Sequence, residues 1–451
     1  MSVRTRYHAR WVVPVSHPPI ADGTVITEDD RIVWVGPRAD APAGGIDDDL
    51  GDAILAPGLV NAHTHLDLTM LRGALEDLAF ADWVGTLIRA KREVLTAADL
   101  TDAALLGVAE GLSAGITTYA DTADNDAPFR AMRTLGVRGI AFREVFGPDP
   151  AQRDASLAVL DAAVRAMRAD ATPLVQIGVS PHAPYSVSDA LFAAVAAYAA
   201  EQGLPVAVHI AESDAEDQLV KNGSGPFAER LRARGIAVGA RGATALTLLD
   251  RAGLLRSGTL LIHCVRVSTA QTAQIAQAGC GVAHCPASNA KLGHGVAPLL
   301  DFLAAHARVG LGTDSMASNN AMDLLAEARL ASLTQRARSQ RADVLPAAAA
   351  LRLATLGSAE ALRLEHAIGS LEVGKQADLV AFGIPAVAQP VADPEAALVF
   401  AHTALTVRRV VVAGSLRVRD GAVLGFDPAT AGRVADAARR VSEWRRAPHA
   451  G

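Results

Sequence analysis

The sequence predicts an α/β protein: a closed parallel (β/α)8 barrel of the TIM type, with a small β-sandwich built from the N- and C-terminal segments. Three observations point there. Eight short apolar runs alternate with amphipathic helical stretches through the middle of the chain, the rhythm of a parallel barrel. The two ends hold short alternating runs broken by Gly, Pro and Asp, which suit antiparallel hairpins. No Gly-rich phosphate loop follows the first strand of the middle region, which argues against an open doubly wound sheet.

In chain order, residues 1–56 carry hairpin patterns such as TVITEDDRIVWVG and form the first part of the sandwich. The basic N-terminus MSVRTRYHARWVVPV lacks the apolar run of a signal peptide. The barrel is assigned to residues 57–365, with strands at 58–65, 116–122, 139–147, 174–182, 205–212, 259–265, 281–286 and 309–315. Between them, TDAALLGVAEGLSAG and DALFAAVAAYAAEQG repeat apolar residues at i, i+3 and i+4, the stripe of a half-buried helix. Residues 366–451 return to the sandwich through VRRVVVAGSLRVRDGAVLG and end in an Ala/Arg-rich helix from about Pro428 that frays into PHAG.

Composition narrows the function classes. Of 451 residues half are hydrophobic and only 4% aromatic, with a net charge of −6 and a pI near 6.1. There is no basic field for nucleic acid or an anionic membrane, and no apolar stretch reaches the ~18 residues of a membrane span. Cys264, Cys280 and Cys285 form no CxxC pair, so the thiols read as reduced and the protein as cytoplasmic. A small-molecule substrate is the expected partner.

The chemistry concentrates at strand ends. His63 and His65 lie two apart on the first barrel strand, so both imidazoles face the same side and can aim at one point. Imidazole suits zinc or ferrous iron, yet HxH alone is equally an incidental pair. His182 ends the fourth strand, His209 the fifth, His263 the sixth and Asp314 the eighth. Barrel active sites collect at those C-terminal ends, and five strands presenting His or Asp at one end are a poor match to chance. Arg143 and Glu144 end the third strand, where they face polar substrate groups or pair with each other. Trp83 is a candidate lining residue, Ser288, Asn289 and Lys291 a loop over the pocket, and Ser318, Asn319 and Asn320 supports for Asp314 or a helix cap. Cys264 points away from His263 and reads as packing.

At these residues the chain resembles the amidohydrolase superfamily, in its branch of cytosine-deaminase-like and chlorohydrolase-like enzymes. The matching stretches are PGLVNAHTHLDLTMLRG, SPHAPYSVS, HIAES, IHC, VAHCPASNAKLGHGVAPL and VGLGTDSMASNN, with LEVGKQADLV after the barrel. The resemblance implies that His63, His65, His209 and Asp314 bind one divalent ion, zinc in preference to ferrous iron. It implies that Glu212 and His263, with Asp314, handle protons, that His182 touches substrate, and that the protein is a homo-oligomer. His182 stands where two-metal relatives carry a bridging lysine, so one metal is expected. The stretch TMLRGALEDLAFADWV is similar to enzymes deaminating adenosylhomocysteine and methylthioadenosine. Their ribose-binding carboxylate falls in a stretch reading RAKREVL here, at Arg92 with Glu93 adjacent. EVFGPDP and VKNGSGPFAERL look more like aminodeoxyfutalosine deaminases. The expected activity is hydrolytic deamination of an adenosine-type nucleoside derivative. The alternatives are hydrolysis of another C–N or C–Cl bond on a triazine, pterin or guanine-like ring, and a non-catalytic metal-stabilised binding protein.

Overall fold

The computed structural model describes residues 3–241 and 244–447. Its centre is a nine-stranded sheet joined by parallel ladders. In chain order the strands are Leu59–His65, Ile116–Ala123, Arg138–Val145, Val175–Pro181, Val206–Ile210, Thr259–His263, Gly281–His284, Arg308–Leu311 and Asp314–Ser315. Helices fill the connections, among them Ala97–Ser113 and Asp189–Gln202. Thr96 and Asp99 close a reciprocal capping box on the first, and Ser188 caps the second. With both faces covered, the strands bury almost every residue, as parallel sheets require.

The expected eighth strand is two pieces. Arg308–Leu311 pairs with Gly281–His284, and Asp314–Ser315 pairs with Leu59–His65. The sheet's two edge strands are therefore two residues apart in the chain, and the sheet is curled. The break falls at Gly312 because the first strand passes too close for a side chain: a Cβ there would sit 2.9 Å from the His63 backbone.

A second, mixed sheet of nine strands joins the chain ends. Leu379–Gly383 runs antiparallel to Ala53–Pro57, placing Leu379 opposite Pro57 and Gly383 opposite Ala53. From there the order continues outward through Thr406–Val412 and Ser415–Arg419 on one side. On the other it runs through Arg4–Val12 and Ile20–Glu28 to Arg31–Pro37. Arg138, at the start of the third central strand, makes a bidentate ion pair with Asp378 at 2.9 and 3.0 Å, both side chains buried. The last helix, Ala429–Arg446, packs Val434, Ala437 and Val441 inward. The PHAG end lies outside the described residues. Among the described residues no helix is long and apolar enough to cross a membrane.

Candidate active site

The C-terminal ends of the central strands converge on one cavity. It is lined by His65, His182, His209, Glu212, His263 and Asp314, with His63 packed edge-on against His65 and His209, ring centroids 4.9 Å apart in each case. Several of these ends have unusual backbone. Ala211, His263 and Asp314 adopt positive φ values of 50°, 73° and 55°, a costly conformation for residues other than glycine that recurs at functional sites. Strands of regular pleat would aim these side chains elsewhere.

The donor set fits a divalent cation. His65 Nδ1 lies 2.7 Å from the Thr122 carbonyl and His209 Nδ1 3.3 Å from the His182 carbonyl. A carbonyl only accepts, so both Nδ1 atoms carry the proton and both Nε2 lone pairs are free. His65 Nε2 then faces Asp314 Oδ1 at 3.5 Å, while His63 Nε2 is 3.1 Å from the same oxygen. The bare His65 lone pair aimed at a carboxylate is the arrangement a bound cation resolves, while a neutral His63 donates its Nε2 proton to Asp314 Oδ1. One donor atom each of His63, His65 and His209 lies within 4.8 Å of the others. Burial lowers the His63 imidazole to about 4 and holds His209 well below its ordinary value, keeping both in the neutral, metal-binding form. Burial alone would raise Asp314, but the hydrogen bond from His63 leads the effects that bring it well below the usual carboxylate range. Its Oδ2 is held by the hydroxyls of Ser288 at 2.5 Å and Ser318 at 2.9 Å.

Further ionisable groups sit beside this set. Glu212 is buried, with Oε1 3.5 Å from His263 Nε2. His263 Nδ1 is fixed at 3.0 Å by Asn289 Oδ1. Burial opposes ionisation of Glu212, yet the charges of His263 and His294 bring its carboxyl below the ordinary value. Glu216 accepts the backbone N–H groups of Ala211 and Glu212 at 2.8 and 3.1 Å and so shapes the turn that presents Glu212.

The remaining expected residues fall in different places. Trp83 lines the cavity with Val84 and Leu87, its indole N–H buried without a partner. His182 lines it too, lowered to about 3 by burial. Arg143 does not: it lines a neighbouring cavity with Asp126 and Arg130, and the residue the third strand sends inward is Glu144. Alternation along a strand puts adjacent side chains on opposite faces, and the two form no ion pair with each other among the described residues. The helix Phe80–Glu93 likewise brings in Lys91 instead of Arg92. Lys91 lies two turns on from Trp83 and pairs with Asp67 at 3.0 Å and Asp124 at 2.8 Å. Lys291 pairs with Glu76, Asn320 holds the same carboxylate, and Asn319 binds the Thr313 carbonyl. Cys264 is fully buried in the core.

His294 and Tyr185 had no place in the sequence reading and both belong to this neighbourhood: His294 Nε2 is 3.2 Å from Glu212 Oε1, and Tyr185 lines the cavity. HAPYS and KLGHG carried the only signal for them, since neither lies on a strand.

The amidohydrolase family model matches residues 54–417. A 5-methylthioadenosine/S-adenosylhomocysteine deaminase of Moorella thermoacetica is 35% identical over 426 residues, covering 92% of this chain and 94% of that one. The crystal structure of a zinc-bound adenosine deaminase from Xanthomonas campestris aligns with a TM-score of 0.84 at 31% identity, over 99% of each chain. A Helicobacter pylori aminofutalosine deaminase in complex with methylthio-coformycin shares the fold, with a TM-score of 0.82 at 21% identity, over 92% of this chain and 100% of that one. The family match at residues 54–417 takes in every strand that feeds the cavity, and the chain belongs to the amidohydrolase family.

Proposed function

We propose that the protein hydrolytically deaminates an adenosine-type nucleoside, using one divalent ion, zinc, held by His63, His65, His209 and Asp314. The observation that carries this reading is the buried Glu212 and His263 pair, 3.5 Å apart, opening into the same cavity as the histidine and Asp314 cluster. The curated relatives named as nucleoside deaminases support the substrate class. When bound, the ion supplies a water acidic enough to lose its proton near neutral pH. Glu212, ionised at rest, would take that proton and give it to the ring nitrogen. Asp314, its Oδ2 on the two serines, would take the second proton of the added water and give it to the departing amine, which leaves as ammonia. His263, oriented by Asn289, hydrogen-bonds the oxygen added to the ring carbon. His182 meets the ring edge, Trp83 and Leu87 cover its apolar face, and the sugar hydroxyls meet the Asp67, Lys91 and Asp124 group.

The same reading makes the curled sheet a (β/α)8 barrel at residues 57–365. Among the described residues, 3–56 and those from 366 onward then form a sandwich, in which the second sheet folds over itself, followed by the C-terminal helix Ala429–Arg446.

The test is ammonia release from adenosine, 5′-methylthioadenosine and S-adenosylhomocysteine by protein of measured metal content. Ammonia from none of them at full metal occupancy overturns the proposal.

A further inference from the structure

Two imidazoles converge on one oxygen of Glu212. His263 Nε2 approaches Oε1 at 3.5 Å from the end of the sixth strand, and His294 Nε2 approaches the same atom at 3.2 Å from the loop after the seventh. The other oxygen, Oε2, accepts no hydrogen bond from the described residues. The local chain explains how His294 arrives. It stands between Gly293 and Gly295, whose φ values of 72° and 104° turn the loop sharply, and its N–H bonds the Asn289 carbonyl at 2.9 Å. That is the residue whose side chain fixes His263. The His294 ring is only 6% exposed and stands edge-on to Phe80, centroids 4.5 Å apart at 83°. Its Nε2 is sealed from solvent and completes no hydrogen bond here; the 3.2 Å approach to Glu212 is a contact of the kind that tightens into a hydrogen bond only in the reacting complex.

We propose that His294 is a positioning residue for Glu212: it holds Oε1, leaving Oε2 as the atom that carries the proton to the substrate. A carboxylate oxygen already occupied by donors is the poorer proton acceptor, so pinning one oxygen selects the other. The inference rests on the reading of Glu212 as the proton carrier. The other ionisable groups near that carboxylate are Asp314 from the eighth strand, His182 and Tyr185 after the fourth, Cys285 after the seventh and Glu216 from the helix that follows Glu212. None of them donates to it among the described residues.

The experiment compares His294→Leu, which removes the donor at similar size, with His294→Gln, which keeps an N–H. Crystal structures are paired with kinetics on 5′-methylthioadenosine and adenosine, and Glu212→Gln is measured alongside. In His294→Leu the Glu212 carboxylate should leave its position or split between rotamers. Metal content and KM should hold, and kcat should fall roughly ten- to a hundredfold, a share of what a positioned proton carrier contributes. The acid limb of kcat/KM should move up in pH, since Glu212 loses a donor to its ionised form. His294→Gln should restore most of each. An unmoved Glu212 carboxylate in the His294→Leu crystal structure overturns the proposal even if neither nucleoside reacts. So does a rise in KM alone, which would make His294 a pocket wall. Full turnover by Glu212→Gln would instead remove the proton-carrier reading on which the proposal rests.

Discussion

As the proposed proton carrier, Glu212 meets two demands: it is ionised at rest, and it is held between His263 and the Glu216 turn. Glu212→Gln keeps the shape and one acceptor but cannot shuttle a proton. Turnover should fall by about 10²–10⁴ with metal content unchanged, measured by steady-state kinetics beside elemental analysis. The metal-ligand candidates were legible in the chain because HxH spacing and strand-end placement are periodic features. Glu144, Lys91 and His294 were not, for separate reasons. Glu144 and Arg143 are adjacent charges, and only the strand's phase decides which faces inward. Lys91 and Arg92 differ by 100° of helix rotation, finer than a register drawn by eye. His294 sits in a glycine-flanked turn without periodicity.

The strand-to-helix turn after the fifth strand is the most demanding element in the molecule. Ala211 takes a left-handed φ, and Glu216 returns from the next helix to satisfy two buried N–H groups. Burial raises the Glu216 carboxyl to about 8. Glu216→Ala leaves both donors unpaired, at a cost of about 1–3 kcal/mol each. Denaturant unfolding should show that loss, and turnover should fall with it, since the turn presents Glu212. The sequence supplied the strand order and helical stretches almost to the residue, because period and length define them. It read residues 309–315 as one strand, since nothing local announces that His63 crowds Gly312 from the far end of the sheet.

At the scale of the whole molecule, the Arg138 and Asp378 ion pair ties the central sheet to the sheet of the two chain ends. Arg138→Met strands a buried carboxylate and should destabilise the protein by about 3–5 kcal/mol in denaturant unfolding. The cavity lies at the other end of that strand, so the KM of whatever protein remains folded should be unchanged. Acid should also weaken the fold. Burial lowers His63 to about 4 and His182 to about 3, whereas both take up protons near 6.5 in an unfolded chain. Between 6.5 and those values the unfolded state holds more protons. Stability is therefore full above 6.5 and falls with acidification by about 1.4 kcal/mol per pH unit per histidine. Thermal unfolding of chelator-treated protein from pH 7 to 4 measures this, and a flat profile refutes it. Finally, His63 Nε2 and Asp314 Oδ1 lie 3.1 Å apart across 251 residues of chain. On the proposed metal site, no growing polypeptide could hold all four donors until Asp314–Ser315 has left the ribosome and paired with the first strand. Metal capture would then be a late event of biosynthesis, and the ion would inspect the finished fold.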